Sequence, residues 1–227
     1  MTETELTSLP LIGEKAPAFE ATTTQGHISF PEDYKGKWVI LFSHPADFTP
    51  VCTTEFMTFA SMAEEFKELN CELIGLSIDS LYAHIAWLRT IHEKIEYRGM
   101  KNIEVKFPVI EDLTMNVAKK FGMLQPQAST TQAVRAVFII DPDSTIRAIL
   151  YYPLSAGRNM DEIKRLVIAL QRNNEHQVAT PANWNPGDKV IVPPPGSCGD
   201  AKDRVGKAGD DYECLDWFLC LKDDPGE

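Results

Sequence analysis

The sequence predicts an α/β protein, in which short buried strands alternate with helices. Apolar runs of strand length lie between segments whose apolar residues recur at helical spacing, and the 227-residue chain is long enough to bury a sizeable core. This order of elements is typical of a sheet with helices packed against it. The predicted strands cover residues 38–43, 72–78, 136–140 and 145–151. The predicted helices cover residues 53–68, 81–95, 112–121 and 160–173.

The first predicted strand leads through a turn into a helix. Residues 38–42 read Trp-Val-Ile-Leu-Phe, which is apolar enough for a buried strand. Thr49 offers an oxygen for the helix N-cap, and Pro50 suits the first helical position, where a missing N–H costs nothing. Cys52 then falls in the first turn, where unpaired N–H groups and the helix dipole favour an anion. The sequence therefore predicts a Cys52 thiol that ionises more readily than a free one.

Caps, turns and periodicity indicate the later elements. Ser80 is a suitable N-cap for the helix over 81–95, and residues 141–144 have the composition of a turn between two strands. The apolar residues interpreted as the core-facing set of that helix are Ile85, Trp87, Leu88 and Ile91. The helix over 160–173 carries an apolar face that is predicted to pack inward. Its residues are Ile163, Leu166, Val167 and Leu170.

The character of the chain changes after about residue 174. Prolines and glycines interrupt any long regular element, most densely in residues 192–196. The segment predicts an extended arm, and the aromatic pair Trp217-Phe218 near its end needs a surface to cover it. A frayed tail is the alternative interpretation.

Composition and charge exclude several classes of function. The net charge of −11 argues against binding to nucleic acid or to an anionic membrane surface. There is no apolar run long enough for a membrane-spanning helix, and the acidic residues 1–5 lack the apolar core of a secretory signal. The five cysteines are an odd count in a chain with no export signal, so we expect reduced thiols and a cytoplasmic protein.

The stretch around Cys52 resembles the peroxidatic loop of the peroxiredoxins. Pro45, Thr49 and Cys52 match the family pattern Pro-x-x-x-Thr-x-x-Cys position by position. The flanking residues Ser43-His44-Pro45 are most similar to the peroxiredoxin-6, or one-cysteine-type, subfamily. Further matches follow in the family's order at residues 107–112, 134–139 and 157–159. Several spaced motifs in order make the resemblance specific, and it extends over nearly the whole chain.

The resemblance implies an architecture and an assembly. It implies a thioredoxin-like fold over residues 8–168 and a C-terminal extension domain over residues 169–227 that serves as a dimerisation arm. It also implies a homodimer that assembles further into a decameric ring. No cofactor or metal is expected.

The resemblance assigns roles around the cysteine. Cys52 is the nucleophile that attacks a peroxide, and Arg135 stabilises its thiolate and hydrogen-bonds the substrate. The Thr49 hydroxyl caps the helix or donates toward the substrate, and Pro45 shields the thiolate from water. The implied function is reduction of hydrogen peroxide and organic hydroperoxides in antioxidant defence.

Two further residues resemble positions that border the peroxide pocket. They are His44, next to the matching Pro45, and Arg158, in the Gly-Arg-Asn stretch. On sequence alone a lone histidine is more often structural, and an arginine such as Arg135 more often forms a surface ion pair. These roles therefore depend on the resemblance.

The C-terminal cysteines bear on how the enzyme is recycled. Cys214 and Cys220 resemble a pair that a microbial branch of the subfamily retains, in which the first cysteine resolves the sulfenic acid. This implies a Cys52–Cys214 disulfide that a thioredoxin-type dithiol reduces; the alternative is a one-cysteine peroxidase that uses an external thiol directly. Cys198 could pair with Cys220, act as a spare resolver or be an idle exposed thiol, and Cys71 is interpreted as core.

Other functions compete with peroxide reduction. A zinc-binding tail built from Cys198, Cys214 and Cys220 lacks the close cysteine pairs of structural zinc sites. A dithiol–disulfide oxidoreductase lacks its Cys-x-x-Cys motif, which occurs nowhere in the chain. An oligomeric holdase chaperone is a further alternative. The lipase activity of some relatives is not expected, because Lys37 stands where the nucleophilic serine would be.

Overall fold

A computed structural model describes residues 9–206 and 212–226 of the chain. It divides into two compact units, Met1–Met160 and Asp161–Glu227. The assignment of separate domains to residues 8–168 and 169–227 stays a prediction. No helix among the described residues is long and apolar enough to cross a membrane.

The first unit is built on a seven-stranded mixed sheet with the strand order β2-β1-β5-β4-β3-β6-β7. Strand β3 lies parallel to β4 and antiparallel to β6, and all six of its residues are buried. Burial on both faces explains why its sequence is a continuous apolar run. The strands are β1 Phe19–Thr23, β2 Gly26–Phe30, β3 Trp38–Ser43, β4 Cys71–Ser77, β5 Val109–Glu111, β6 Arg135–Ile140 and β7 Ile146–Tyr152.

The helices confirm most of the predicted positions. The predicted helix over 53–68 begins earlier and is interrupted at Met62, so that it forms two helices. The predicted helix over 112–121 is shorter and begins at Asn116; the Asp112 carboxylate, which precedes this helix, accepts the N–H groups of Val117 and Ala118 in its first turn. The helices are α1 Pro50–Ser61, α2 Ala63–Glu68, α3 Leu81–Lys94, α4 Asn116–Lys120 and α5 Met160–His176, and a short 3-10 helix spans Glu32–Tyr34.

Helix α3 buries a different face from the one predicted. Its Ser80 cap is confirmed, since the side chain accepts the Ala83 N–H. Trp87 and Ile91 are buried as expected, but Ile85 is 49% exposed and His84 is fully buried. The prediction for Ile85 was wrong because hydrogen bonds turn a polar residue of this helix inward.

The second unit contains more regular structure than the predicted arm. Strands β8 Val190–Val192, β9 Glu213–Asp216 and β10 Leu219–Lys222 form an antiparallel sheet in the order β8-β10-β9, and helix α6 spans Cys198–Gly206. The prolines do keep these elements short. Trp217 and Phe218 lie in the β9–β10 turn, where 44% and 54% of their surfaces are exposed.

Candidate active site

Cys52 lies where the chain passes from β3 into α1. Thr49 occupies the N-cap position and Pro50 the first helical position, so Cys52 is the third residue of the helix, as predicted. The cysteine is fully buried. The Thr49 side chain accepts no capping hydrogen bond from the helix, and its hydroxyl donates to the Ala46 carbonyl at 2.7 Å. This hydrogen bond instead closes the loop that precedes the cysteine.

Arg135 brings a positive charge to the Cys52 sulfur. It is the first residue of β6, and its Nη1 donates to Cys52 Sγ at 3.2 Å and to Glu55 Oε2 at 2.8 Å. Its Nε and Nη2 both donate to the Leu154 carbonyl, at 3.0 and 2.7 Å. Arg135 is buried, so the surface ion pair that the sequence alone favours is not what forms. The guanidinium is fixed by three acceptors before any substrate binds.

Glu55 links Arg135 to Arg158 behind the cysteine. Its carboxylate accepts from Arg158 Nη2 at 2.6 Å, Arg158 Nε at 3.0 Å and the Arg158 backbone N–H at 2.8 Å, in addition to Arg135. Burial acts to raise the pKa of Glu55, but the two guanidiniums, Arg158 first, outweigh it and hold that pKa below its usual value. Glu55 is therefore a buried carboxylate between two cations.

Glu55 is a functional residue for which the sequence predicted no role. A signal was present, because Glu55 is the only charged residue of α1 and stands three positions after Cys52, on the same side of the helix. Arg158, predicted to border the pocket, also donates through Nη1 to the Ser43 and Ala136 carbonyls, at 2.9 and 3.1 Å. It thereby joins the Glu55 carboxylate to the ends of β3 and β6.

A second buried cluster joins two histidines through one carboxylate. His44 Nε2 lies 2.9 Å from Asp47 Oδ1, and His84 Nδ1 lies 2.7 Å from Asp47 Oδ2. His84 Nε2 lies 3.1 Å from the Ile110 carbonyl oxygen, which can only accept. The ring of His44 stacks on Trp87 at a centroid distance of 5.2 Å. The cluster ties the residue before Pro45 to helix α3.

Proton counting fixes the tautomer of His44. Burial acts to raise the pKa of Asp47, but hydrogen bonds from His44 and His84 hold that pKa below its usual value, so Asp47 is ionised. Burial lowers the pKa of His44, which favours its neutral form. A neutral ring that donates through Nε2 to Asp47 leaves a lone pair on Nδ1. That buried atom has no hydrogen-bond partner among the described residues.

The same three residues, His44, Asp47 and His84, could in principle hold a metal ion, since their ligand atoms lie within 4.8 Å of one another. Hydrogen bonds already engage both Asp47 oxygens and both nitrogens of His84. A cation would have to displace these bonds in a fully buried site. The donor set therefore fits a hydrogen-bonded cluster better than a metal centre.

The remaining cysteines lie in distinct environments. Cys214 and Cys220 are joined in a disulfide, so of the pairings left open, Cys198–Cys220 is not the one formed. Cys198 is exposed, and Cys71 is buried, with its pKa raised by desolvation. Pro45 is buried in the loop before α1.

Comparisons with known proteins agree with this arrangement. The sequence model of the AhpC/TSA family matches residues 12–149, and that of the C-terminal domain of 1-Cys peroxiredoxin matches residues 169–208. A peroxiredoxin of Methanosarcina mazei is 72% identical over 216 residues, which cover 95% of this chain and 99% of that protein.

Two solved structures resemble the whole chain. A yeast mitochondrial 1-Cys peroxiredoxin aligns with a TM-score of 0.79 and 38% identity, covering 95% of this chain and all of that one. A cysteine-to-serine mutant of peroxiredoxin 6 from Arenicola marina aligns with a TM-score of 0.80 and 34% identity, covering 96% and 99% of the two chains. The fold is therefore the thioredoxin-like fold that the sequence resemblance implied.

Replacing Glu55 with glutamine should destabilise the protein and change the pH dependence of its stability. The substitution leaves two buried guanidiniums without their carboxylate, and we expect a loss of about 3–5 kcal/mol of unfolding free energy. Since the folded-state pKa of Glu55 lies below its ordinary value of 4.5, the stabilisation by Glu55 is complete above that pH and is lost as pH falls through the lower value. Urea unfolding from neutral to acidic pH measures both effects.

A matched control is Glu93→Gln, which breaks an exposed pair with Arg89 on α3. That variant should differ from the wild type by less than about 1 kcal/mol. An acid-induced loss of stability in Glu55→Gln as steep as that of the wild type would contradict the assignment.

Proposed function

The chain belongs to the peroxiredoxin family of thiol peroxidases, and on that premise we propose that Cys52 reduces hydrogen peroxide and organic hydroperoxides. The supporting observation is the placement of Cys52 Sγ in the first turn of α1, 3.2 Å from Arg135 Nη1. The thiolate attacks one peroxide oxygen, so that an S–O bond forms as the O–O bond breaks. The leaving hydroxide or alkoxide takes up a proton, and Cys52 becomes a sulfenic acid.

Ionisation of the thiol cannot account for most of the rate. A free thiol with a pKa near 8.5 is about 3% ionised at pH 7, so complete ionisation gains at most about 30-fold. Enzymes commonly accelerate reactions about a millionfold or more. Orientation of the peroxide and stabilisation of the developing charge must therefore supply most of the effect.

Arg135 is suited to that task because its position does not depend on the substrate. The Leu154 carbonyl and the Glu55 carboxylate hold the guanidinium beside the sulfur. Donors that are fixed in advance cost no reorganisation when charge develops in the transition state. Thr49 and Pro45 complete the proposed catalytic loop, and His44 and Arg158 the proposed surroundings of the peroxide.

Cys214 is the proposed resolving cysteine. Its sulfur attacks the Cys52 sulfenic acid, which forms a Cys52–Cys214 disulfide and releases water. Attack of Cys220 on Cys214 then frees Cys52 and leaves the Cys214–Cys220 disulfide. That bond is present in the structure, which supports Cys220 as the second partner of Cys214.

A thioredoxin-type dithiol is the proposed reductant of the Cys214–Cys220 disulfide, called the terminal disulfide below. The yeast relative is described as resolving its thiol through glutathione and thioredoxin systems. A homodimer and a decameric ring are proposed on the family's habit of assembly, with the exposed Trp217 and Phe218 as apolar surface available for it.

The Cys52→Ser variant tests the proposed peroxidase activity. It should consume no hydroperoxide above background with a thioredoxin system, because the attacking sulfur is gone. Cys198→Ser is the control, since Cys198 is an exposed free thiol, and it should keep wild-type activity. Peroxide consumption by Cys52→Ser at the wild-type rate would refute the role of Cys52.

The Arg135→Ala variant separates charge stabilisation from ionisation. We expect a fall in the second-order rate with peroxide of more than about 30-fold, the most that loss of thiolate can cause. Raising the pH above the ordinary thiol pKa of about 8.5 should restore only part of the rate. Stopped-flow tryptophan fluorescence measures the rate across this pH range.

Arg147→Ala removes a partly exposed guanidinium that pairs with Asp141 and serves as the control, with a rate close to wild type. Circular dichroism of Arg135→Ala checks that the buried cluster still folds. Full recovery of that variant at high pH would show that ionisation is its only defect.

The Cys214→Ser variant distinguishes the resolving route from the one-cysteine route. It should consume about one equivalent of peroxide and then stop in the presence of thioredoxin, because the sulfenic acid has no resolving partner. After one equivalent of peroxide, a non-reducing gel with mass mapping should show the Cys52–Cys214 bond in Cys220→Ser, where the bond cannot be passed on, and the Cys214–Cys220 bond in the wild type. Unchanged steady-state turnover in Cys214→Ser would favour the one-cysteine alternative.

A further inference from the structure

The two sulfurs of the Cys214–Cys220 disulfide have different surroundings. Cys214 stands in β9 and is half-buried, whereas Cys220 stands in β10 and is fully buried. A disulfide is broken when a thiolate attacks one sulfur and the other sulfur departs. Accessibility alone therefore makes Cys214 the easier sulfur to attack.

Arg204 adds a chemical difference between the same two sulfurs. Its Nε donates to Cys220 Sγ at 3.0 Å, while its Nη1 and Nη2 donate to the Pro193 and Val192 carbonyls at 2.6 and 3.0 Å. Arg204 is 8% exposed and its guanidinium lies over the Tyr212 ring at 5.6 Å. A largely buried positive charge is thus held against one sulfur of the disulfide.

The other groups near Cys220 do not replace the hydrogen bond from Arg204 to its sulfur. The Asp216 carbonyl lies 3.6 Å from Cys220 Sγ, a longer contact than the one that Arg204 makes. Asp200 and Asp203 line a pocket together with Arg204 and Tyr212, so two carboxylates border the pocket beside one guanidinium. Arg204 is still the group whose N–H reaches the sulfur.

We propose that Arg204 gives the terminal disulfide a direction: an incoming thiolate attacks Cys214, and Cys220 departs as a thiolate stabilised by Arg204. The bond between the reductant and Cys214 forms as the Cys214–Cys220 bond breaks, and the electron pair of the broken bond stays on Cys220. The second thiol of a dithiol reductant then attacks the reductant's first sulfur, which is bonded to Cys214 in the mixed disulfide. The reductant becomes a disulfide, and Cys214 is released. Two electrons pass from the dithiol to the protein, and the protons of the dithiol balance the two new thiols.

The direction matters for catalysis only if the terminal disulfide is the recycled species, so its physiological meaning depends on the proposed function. The chemistry can be tested without peroxide. A guanidinium next to a thiol favours the thiolate, and a more stable thiolate leaves faster. We expect the loss of Arg204 to slow reduction by about tenfold.

The test uses the full chain with Cys52→Ser and Cys198→Ser, which removes the two other thiols expected to react. The protein is oxidised with diamide to form the terminal disulfide and then treated with glutathione. Acid stops the reaction after a short time. Released thiols are alkylated, and tandem mass spectrometry locates glutathione and the alkyl group. Glutathione on Cys214 and the alkyl group on Cys220 are expected; the reverse pattern, or an even distribution, would overturn the proposal.

The rate of reduction by dithiothreitol tests Arg204 itself. Arg204→Met keeps an unbranched apolar stem but removes the guanidinium and its charge, and it should react about tenfold more slowly, while Arg204→Lys should recover part of the rate. Arg165→Met is the matched control, because Arg165 forms a partly exposed pair with Glu162 in the same unit, and it should react like the parent.

Reduction of Arg204→Met as fast as the parent would also overturn the proposal. If that variant does not fold, the rate of Arg204→Lys still tests the role of Arg204, and the position of glutathione in the parent still tests the direction of attack. These results are independent of peroxide turnover in Cys214→Ser, so failure of the direction and failure of the resolving route can be told apart.

Discussion

The carboxylate of Glu55 is the group on which the active site depends. It lies between the guanidiniums of Arg135 and Arg158 in a region closed to water, where an unpaired charge would be costly. One carboxylate offsets only one of the two cations, so a positive charge is left over beside Cys52. A thiolate at Cys52 brings the cluster to charge balance. The same ion pairs that hold the site together therefore prepare it for an anion.

The sheet brings these residues together from distant parts of the chain. Antiparallel pairing of β3 with β6 places the start of β6, and with it Arg135, next to the point where β3 leads into α1. Arg158 then joins the two strands by donating to the Ser43 and Ala136 carbonyls. Strand pairing, ion pairing and the position of the helix are thus parts of one arrangement, and a change in any of them moves the sulfur relative to Arg135.

Local features were predictable from sequence, whereas long-range partners were not. The strand before Cys52 follows from the length of its apolar run. The position of Cys52 in the first turn of α1 follows from the Thr49-Pro50 pair. Both signals act over only a few residues. The inward turn of His84 follows from hydrogen bonds to Asp47 and Ile110, and no periodicity reveals a bond between distant segments. Strands β1, β2 and β5 were missed because their sequences are short and mixed in polarity.

The complete burial of Cys52 sets a size limit on what can react with it. A peroxide of a few atoms can reach a sulfur through small fluctuations of the surrounding side chains, whereas a cysteine carried on a polypeptide cannot. Any disulfide with Cys52 therefore requires the loop from Pro45 and the start of α1 to open first. That opening breaks hydrogen bonds such as the one from Thr49 to Ala46. The local stability of the first turn of α1 therefore governs how long the Cys52 sulfenic acid persists before a disulfide forms. During that interval a second peroxide can still react with the Cys52 sulfenic acid. A longer-lived closed state therefore makes irreversible over-oxidation of Cys52 more frequent.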